Sequence, residues 1–177
     1  MTVRWLSIWV LIGLLGGCAT NVPEALRTAP PGNPSVAEVR GEPQRFVGTS
    51  VRWGGTIAAV TNGKTDTEVE VVDRALEGSG RPIETDRSDG RFIARIKGFL
   101  DPVVYARGRA FTVTGRLAAP EKRSIGQYEY IFPVVDASAY HLWEPLLQRS
   151  YYHDPFWYYD PWFPYYRPYP WRYGPYW

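Results

Sequence analysis

The sequence predicts an all-β domain, a small closed or partly open barrel of five short strands. Three observations carry this. Stretches between residues 51 and 135 alternate apolar and polar side chains with the period of a half-buried strand. Asn62-Gly63 stands between the first two of them, a strong hairpin signal because both residues tolerate positive φ. Gly54-Gly55 lies inside the first, as expected of a bulge or sharp coil where a sheet closes on itself.

The chain opens with Arg4, an apolar run from Trp5 to Leu15, and Gly16-Gly17 before Cys18. A short basic start, an apolar run and small residues before a cut site make a secretory signal. The run is too short to span a bilayer, which takes about 20 residues. Leu15-Gly16-Gly17-Cys18 also resembles a bacterial lipobox. That resemblance implies cleavage before Cys18 and transfer of a diacylglycerol to its thiol. Ala19 follows rather than Asp, which in that pattern favours export to the outer membrane. Cys18 is the only cysteine in 177 residues, so no internal disulfide is expected. Thioether formation would remove an otherwise exposed free thiol. The alternatives are a cleaved signal with an incidental cysteine, or an uncleaved anchor.

Four segments follow from this: 1–17 as signal peptide, 18–44 as lipidated N-terminus and tether, 45–145 as barrel domain, and 146–177 as tail. Loss of Arg4 with the signal lowers the formal charge from +2 to +1. Nucleic acid is therefore not expected, since it selects a basic face. The apolar fraction of 45% is that of a folding chain. No second stretch approaches transmembrane length, so acyl chains would be the firm anchor; each buried methylene contributes about 0.8 kcal/mol, and two or more chains hold stably.

Residues 19–44 carry Pro23, Pro30, Pro31, Pro34 and Pro43, with Gly32, Asn33 and Ser35 among them. Such a segment is expected to be an extended tether without a core; residues 24–28 suffice for one helical turn, which nothing requires. In the first strand, 51–60, Val51, Trp53, Gly55, Ile57 and Ala59 share one face. The return strand, 65–73, turns Thr67, Val69 and Val71 inward and Asp66, Glu68 and Glu70 to water. Residues 74–90 form a surface loop rich in Gly and charge. The third strand, 91–97, points Phe92, Ala94 and Ile96 inward, and Gly98-Phe99-Leu100-Asp101-Pro102 breaks it before a short turn at 103–106. The fourth, 109–117, places Phe111, Val113, Gly115 and Leu117 on one face. A polar loop, 119–126, leads to the fifth, 127–135, with Tyr128, Tyr130, Phe132 and Val134 on one face. Pro133 cannot donate to a ladder and marks an edge or bulge there. Residues 137–143 extend that strand or close the domain. The nearest named architecture is the OB barrel; a seven-stranded sandwich would need more strands.

From Tyr151 to Trp177, 15 of 27 residues are Tyr, Phe or Trp and six are Pro, which no regular period survives. The tail is expected to be irregular or extended. Rings with one wet end suit a membrane interface; they also stack on sugar faces. Three readings stay open: a membrane-interface contact, a sticky segment for glycan, peptidoglycan or protein partners, and a low-complexity tail with no fixed partner.

No catalytic chemistry is expected. His141 and His153 are the only histidines, and neither sits in a metal-ligand spacing; His153-Asp154 reads as a solvated pair. Asp73, Asp86, Asp89 and Asp101 are scattered over turns and strand ends. Nucleophile-elbow, phosphate-loop and zinc spacings are missing from the sequence. The expectation is no catalytic residue, no cofactor and no metal, with Cys18 as the one functional residue.

With the lipobox in place, the central stretch resembles the Slp family of Gram-negative outer membrane lipoproteins. The residues that carry the likeness are Val51-Arg-Trp-Gly-Gly-Thr-Ile57, Asn62-Gly-Lys-Thr-Asp-Thr67, Gly98-Phe-Leu-Asp-Pro102, Phe111-Thr-Val-Thr-Gly115 and His141-Leu-Trp143. It covers roughly residues 36 to 145 plus the signal. It implies an envelope lipoprotein associated with starvation or stationary phase and acylated at Cys18; a periplasm-facing barrel is the orientation expected here. Trp53, Asn62, Gly63, Asp66, Asp101 and Pro102 match the pattern, with structural roles expected of them. The expected function is a non-enzymatic role in the cell envelope or stress response. The alternative is a binding module for a glycan, peptide or envelope protein, through the OB-like face or the aromatic tail.

Overall fold

The computed structural model describes residues 22–146. The expected signal peptide, Cys18 and the aromatic tail lie outside them. Seven strands form: β1 (Ser50–Asn62), β2 (Asp66–Asp73), β3 (Arg91–Lys97), β4 (Ala110–Leu117), β5 (Glu121–Ile125), β6 (Tyr128–Phe132) and β7 (Val134–Leu142). Five close a barrel in the order β1-β2-β3-β7-β4, with β4 returning to β1. β3 and β7 run parallel and the other pairs are antiparallel. This is an OB-type barrel.

β1 closes the barrel because it is long enough to serve two neighbours. Its first half pairs with β4 and its second with β2, the exchange falling at Gly55 and Thr56. A Cβ on Gly55 would collide with the Val72 carbonyl, and one on Gly54 would sit 2.8 Å from the Phe111 carbonyl oxygen. The glycine pair therefore permits close backbone approach. The register shift itself comes later, between Ile57 and Ala59. That shift turns Ala59 outward, against the sequence expectation, and lets Val60 pack on the core.

The core is the inward face of the five strands: Val51, Trp53, Ile57, Val69, Val71, Phe92, Ile96, Phe111 and Val113 are all buried. Trp53 meets Phe92 edge-on at 5.3 Å.

Residues 22–44 depart from the expected tether. Leu26, Val36 and Val39 are buried. A short helix, α1 (Val36–Gly41), starts at a capping box: the Glu38 N–H donates to Ser35 Oγ, and the Ser35 N–H to Glu38 Oε2. Asn33 clamps β1 through both ends of its amide, accepting from the Arg52 N–H at 2.8 Å and donating to the Arg52 carbonyl at 3.2 Å. Trp53 Nε1 donates to the Pro34 carbonyl at 2.8 Å. The prolines here shape a packed segment because Val36 and Val39, three residues apart on α1, have a core to enter.

The fifth strand also differs from expectation. Pro133 splits it: β5 and β6 make a separate hairpin, and β7 completes the barrel. Residues 119–126, expected as a loop, contain β5. Under the hairpin lies a second small core of Ile93, Tyr130, Phe132 and Val134. The β1–β2 turn forms where Asn62-Gly63 predicts it, but without positive φ at either residue. Gly63 N–H donates to the Asp66 carbonyl, and Asn62 acts through its side chain.

Candidate functional surfaces

The outer face of β2 and β3 is where OB barrels commonly take ligands, together with neighbouring loops. Here part of that face is occupied from within the chain. Glu68 and Glu70 point outward from β2 because Thr67, Val69 and Val71 point inward. Arg91 and Arg95 face them from β3: Arg91 pairs with Glu70 at 2.7 Å. Arg95 bonds Glu121 of the hairpin at 2.5 Å and Asp136 of β7 at 3.2 Å. Arg123, also on the hairpin, reaches Glu68 at 2.7 Å and contacts Glu121. Tyr130 Oη accepts the Arg91 N–H at 2.7 Å, and Arg40 of α1 stacks over its ring at 4.5 Å. The hairpin thus lies on β3 over a small apolar core, with a charge network at its edge. Sequence reading missed this because β5, Glu121-Lys-Arg-Ser-Ile125, has the composition of a solvated loop. The legible signal was the turn at Gly126 between two runs of equal length.

Two open clefts flank the barrel. One, of about 370 Å³, is lined by Asn33, Glu38, Arg52, Trp53, Asp73 and Arg74. Burial, then the neighbouring Asp89 carboxylate, raises the Asp73 carboxyl to about 7. The other, of about 310 Å³, is lined by Thr56, Ala58, Glu70, Arg74, Arg91 and Arg107. Three arginines around one glutamate can hold an anion only weakly here, since Arg91 is already paired.

The remaining candidates disperse. His141 meets Trp143 edge-on at 4.6 Å, and burial, then Arg81, lowers its pKa. Trp143 is held by its Nε1–H donating to Thr112 Oγ1 at 2.9 Å. Asp101 caps the turn after β3, its Oδ1 accepting the Val103 N–H at 2.8 Å. Among the described residues, no three His, Cys, Asp or Glu side chains gather as a metal set. Nor is any helix among them long and apolar enough to cross a membrane. Cys18 and His153 lie outside the described residues.

The Outer membrane lipoprotein Slp family model matches residues 15–177, from Leu15 through Cys18 to the last tryptophan. This chain belongs to the Slp family. It is an outer membrane lipoprotein by that membership, and the match takes in the aromatic tail as well as the barrel. Among curated relatives, "Uncharacterized lipoprotein YeaY" of Escherichia coli is 35% identical over 151 residues, covering 85% of this chain and 76% of the relative. "Outer membrane protein Slp" of the same organism is 32% identical, covering 73% of this chain and 69% of the relative. Solved structures similar to this Slp-family chain include a small single-stranded DNA-binding protein from Streptomyces coelicolor, at 16% identity and TM-score 0.36. The match covers 54% of this chain and 94% of that one. An OBody bound to hen egg-white lysozyme gives 17% identity and TM-score 0.36, covering 67% and 98%.

Proposed function

We propose that this Slp-family chain is anchored in the outer membrane by acylation at Cys18, faces the periplasm, and serves the envelope or its stress response without catalysis. The observation that carries the anchor is Leu15-Gly16-Gly17-Cys18. It holds the chain's single cysteine, directly after an 11-residue apolar run and inside the family match. A lone thiol in an oxidising compartment is a liability unless it is modified. The test is metabolic labelling with a palmitate analogue. Wild type takes up label and Cys18→Ala takes up none; equal labelling of both would remove Cys18 from the account.

A second reading, a binding module, is favoured at the tail rather than at the barrel. The β2–β3 face is partly occupied by the chain's own hairpin, whereas 15 of the last 27 residues are aromatic. In this reading residues 151–177 take an envelope protein or glycan. Peptidoglycan pull-down with and without those residues tests it: capture that survives their removal rules the tail out as the binder.

A further inference from the structure

The loop between β3 and β4, residues 98–109, presents large apolar side chains to water. Phe99 is 72% exposed, Val103 84% and Val104 51%. Most such residues among those described are inside, and three within six positions is not the scatter of single exposed apolar side chains that surfaces normally carry. The loop is also fixed in place. Leu100, between them, is buried in the barrel core. Its N–H donates to Thr67 Oγ1 at 3.1 Å and to Asn62 Oδ1 at 3.3 Å, and its carbonyl accepts Asn62 Nδ2 at 3.1 Å. Thr67 Oγ1 donates to the Gly98 carbonyl at 2.7 Å, and the Gly98 N–H donates to Thr65 of the β1–β2 turn. Arg109 Nη1 holds the Val104 carbonyl at 3.2 Å. A chain clamped so fully has no freedom to fold these side chains away, so the exposure is built in.

The surroundings select what covers them. Lys97 precedes the loop, Arg107 lies on it, and Lys64 sits in the adjoining β1–β2 turn; all three are exposed. The acids nearby are Asp66, Glu70, which shares a cleft with Arg107, and Asp101, whose carboxylate already accepts the Val103 N–H. An apolar apex with cations at its base matches the layering of a lipid surface, acyl chains inside and phosphates outside. The packed N-terminal segment shortens the link between the barrel and the anchor. Leu26, fully buried, is eight residues from Cys18, a span of at most about 28 Å when extended. A tether running to residue 44 would have allowed the barrel to stand far off.

We propose that Phe99, Val103 and Val104 form a membrane-contact apex that seats the barrel on the lipid surface holding its anchor. The proposal rests on acylation at Cys18, and its test separates the two. Once Cys18 carries lipid through a thioether, Phe99→Cys supplies the one free thiol in the chain. The purified lipoprotein variant is labelled there with an environment-sensitive fluorophore. It is then reconstituted in phosphatidylethanolamine vesicles containing phosphatidylglycerol. The expected result is one label per chain, emission shifted to shorter wavelength, and quenching by a lipid-borne quencher. The same label at Ser124→Cys, exposed on β5, stays in water. Two labels per chain would show that Cys18 is not acylated, whatever the apex does. In that event co-sedimentation of the unacylated chain with the same vesicles decides the apex. Replacing Phe99, Val103 and Val104 by Ser then lowers binding about tenfold, as expected for losing buried apolar area. A label at position 99 that reports water in the vesicles overturns the proposal. So does binding that the triple replacement leaves unchanged but deletion of 151–177 abolishes.

Discussion

Asn62 shows how a residue can signal the right structure for a different reason. Read from sequence, it belongs to a hairpin turn that needs positive φ. In the fold its φ is ordinary, and its side chain ties the β3–β4 loop to the barrel through Leu100 and Thr67. Asn62→Ala leaves the Leu100 carbonyl without that donor and removes an acceptor of the Leu100 N–H, while the Thr67 hydroxyl keeps the Gly98 carbonyl. We expect a loss of about 1–3 kcal/mol in denaturant unfolding, with faster amide exchange confined to residues 98–105. Asp73 makes a second prediction at this scale. Its folded pKa, about 7, lies above its ordinary value of 3.8 because burial disfavours the charged form. Below pH 4 the carboxyl is protonated whether the chain is folded or not, and the shift costs nothing. Between about pH 4 and 7 the unfolded chain has released the proton while the folded chain still holds it, so stability falls as pH rises. Asp73→Asn should flatten that slope. Its melting temperature should exceed wild type at pH 8 and converge with it near pH 4; parallel curves would place the ionised Asp73 in contact with water.

At the scale of elements, the strands that alternate strictly were legible. β2, β3 and β4 match the expected spans to within a residue, because one buried face imposes a period of two. Where a second surface is buried, the alternation hides the structure. Ile93 on β3 points outward from the barrel yet is buried under the hairpin, and β5 carries charges because it pairs by ions with Glu68 and Arg95. The N-terminal segment was obscured by its prolines, although Ser35-Val36-Ala37-Glu38 is a capping box readable from sequence. Leu26, Val36 and Val39 each contribute about 1.5–3 kcal/mol by burial, a large share of the 5–15 kcal/mol typical of a domain. Deleting residues 22–44 should therefore unfold the barrel or lower its melting temperature by well over 10 °C, read by circular dichroism. A true tether could be removed with little effect.

For the whole molecule, the barrel is a scaffold with an unusual division of surfaces. The face through which OB barrels commonly bind is partly occupied by a β5–β6 hairpin, which reaches Glu68 and Arg95, while the β3–β4 loop holds Phe99, Val103 and Val104 in water. Barrel class could be inferred from five alternating stretches. The hairpin laid on that face could not, since it depends on Pro133 splitting one run into two strands that belong to different sheets. The apolar apex was equally hidden: Gly98-Phe-Leu-Asp-Pro102 reads as a strand break, and only the fold shows Leu100 turned in and Phe99 turned out. If Cys18 carries the lipid as proposed, the eight-residue link to buried Leu26 keeps the barrel close to its membrane.

The most direct test is a density-gradient fractionation of cells expressing wild type beside Cys18→Ala. The account predicts that wild type bands with outer membrane as mature protein, and that Cys18→Ala accumulates as precursor outside that band. Mature Cys18→Ala banding with outer membrane would contradict it and pass the role of anchor to another part of the chain.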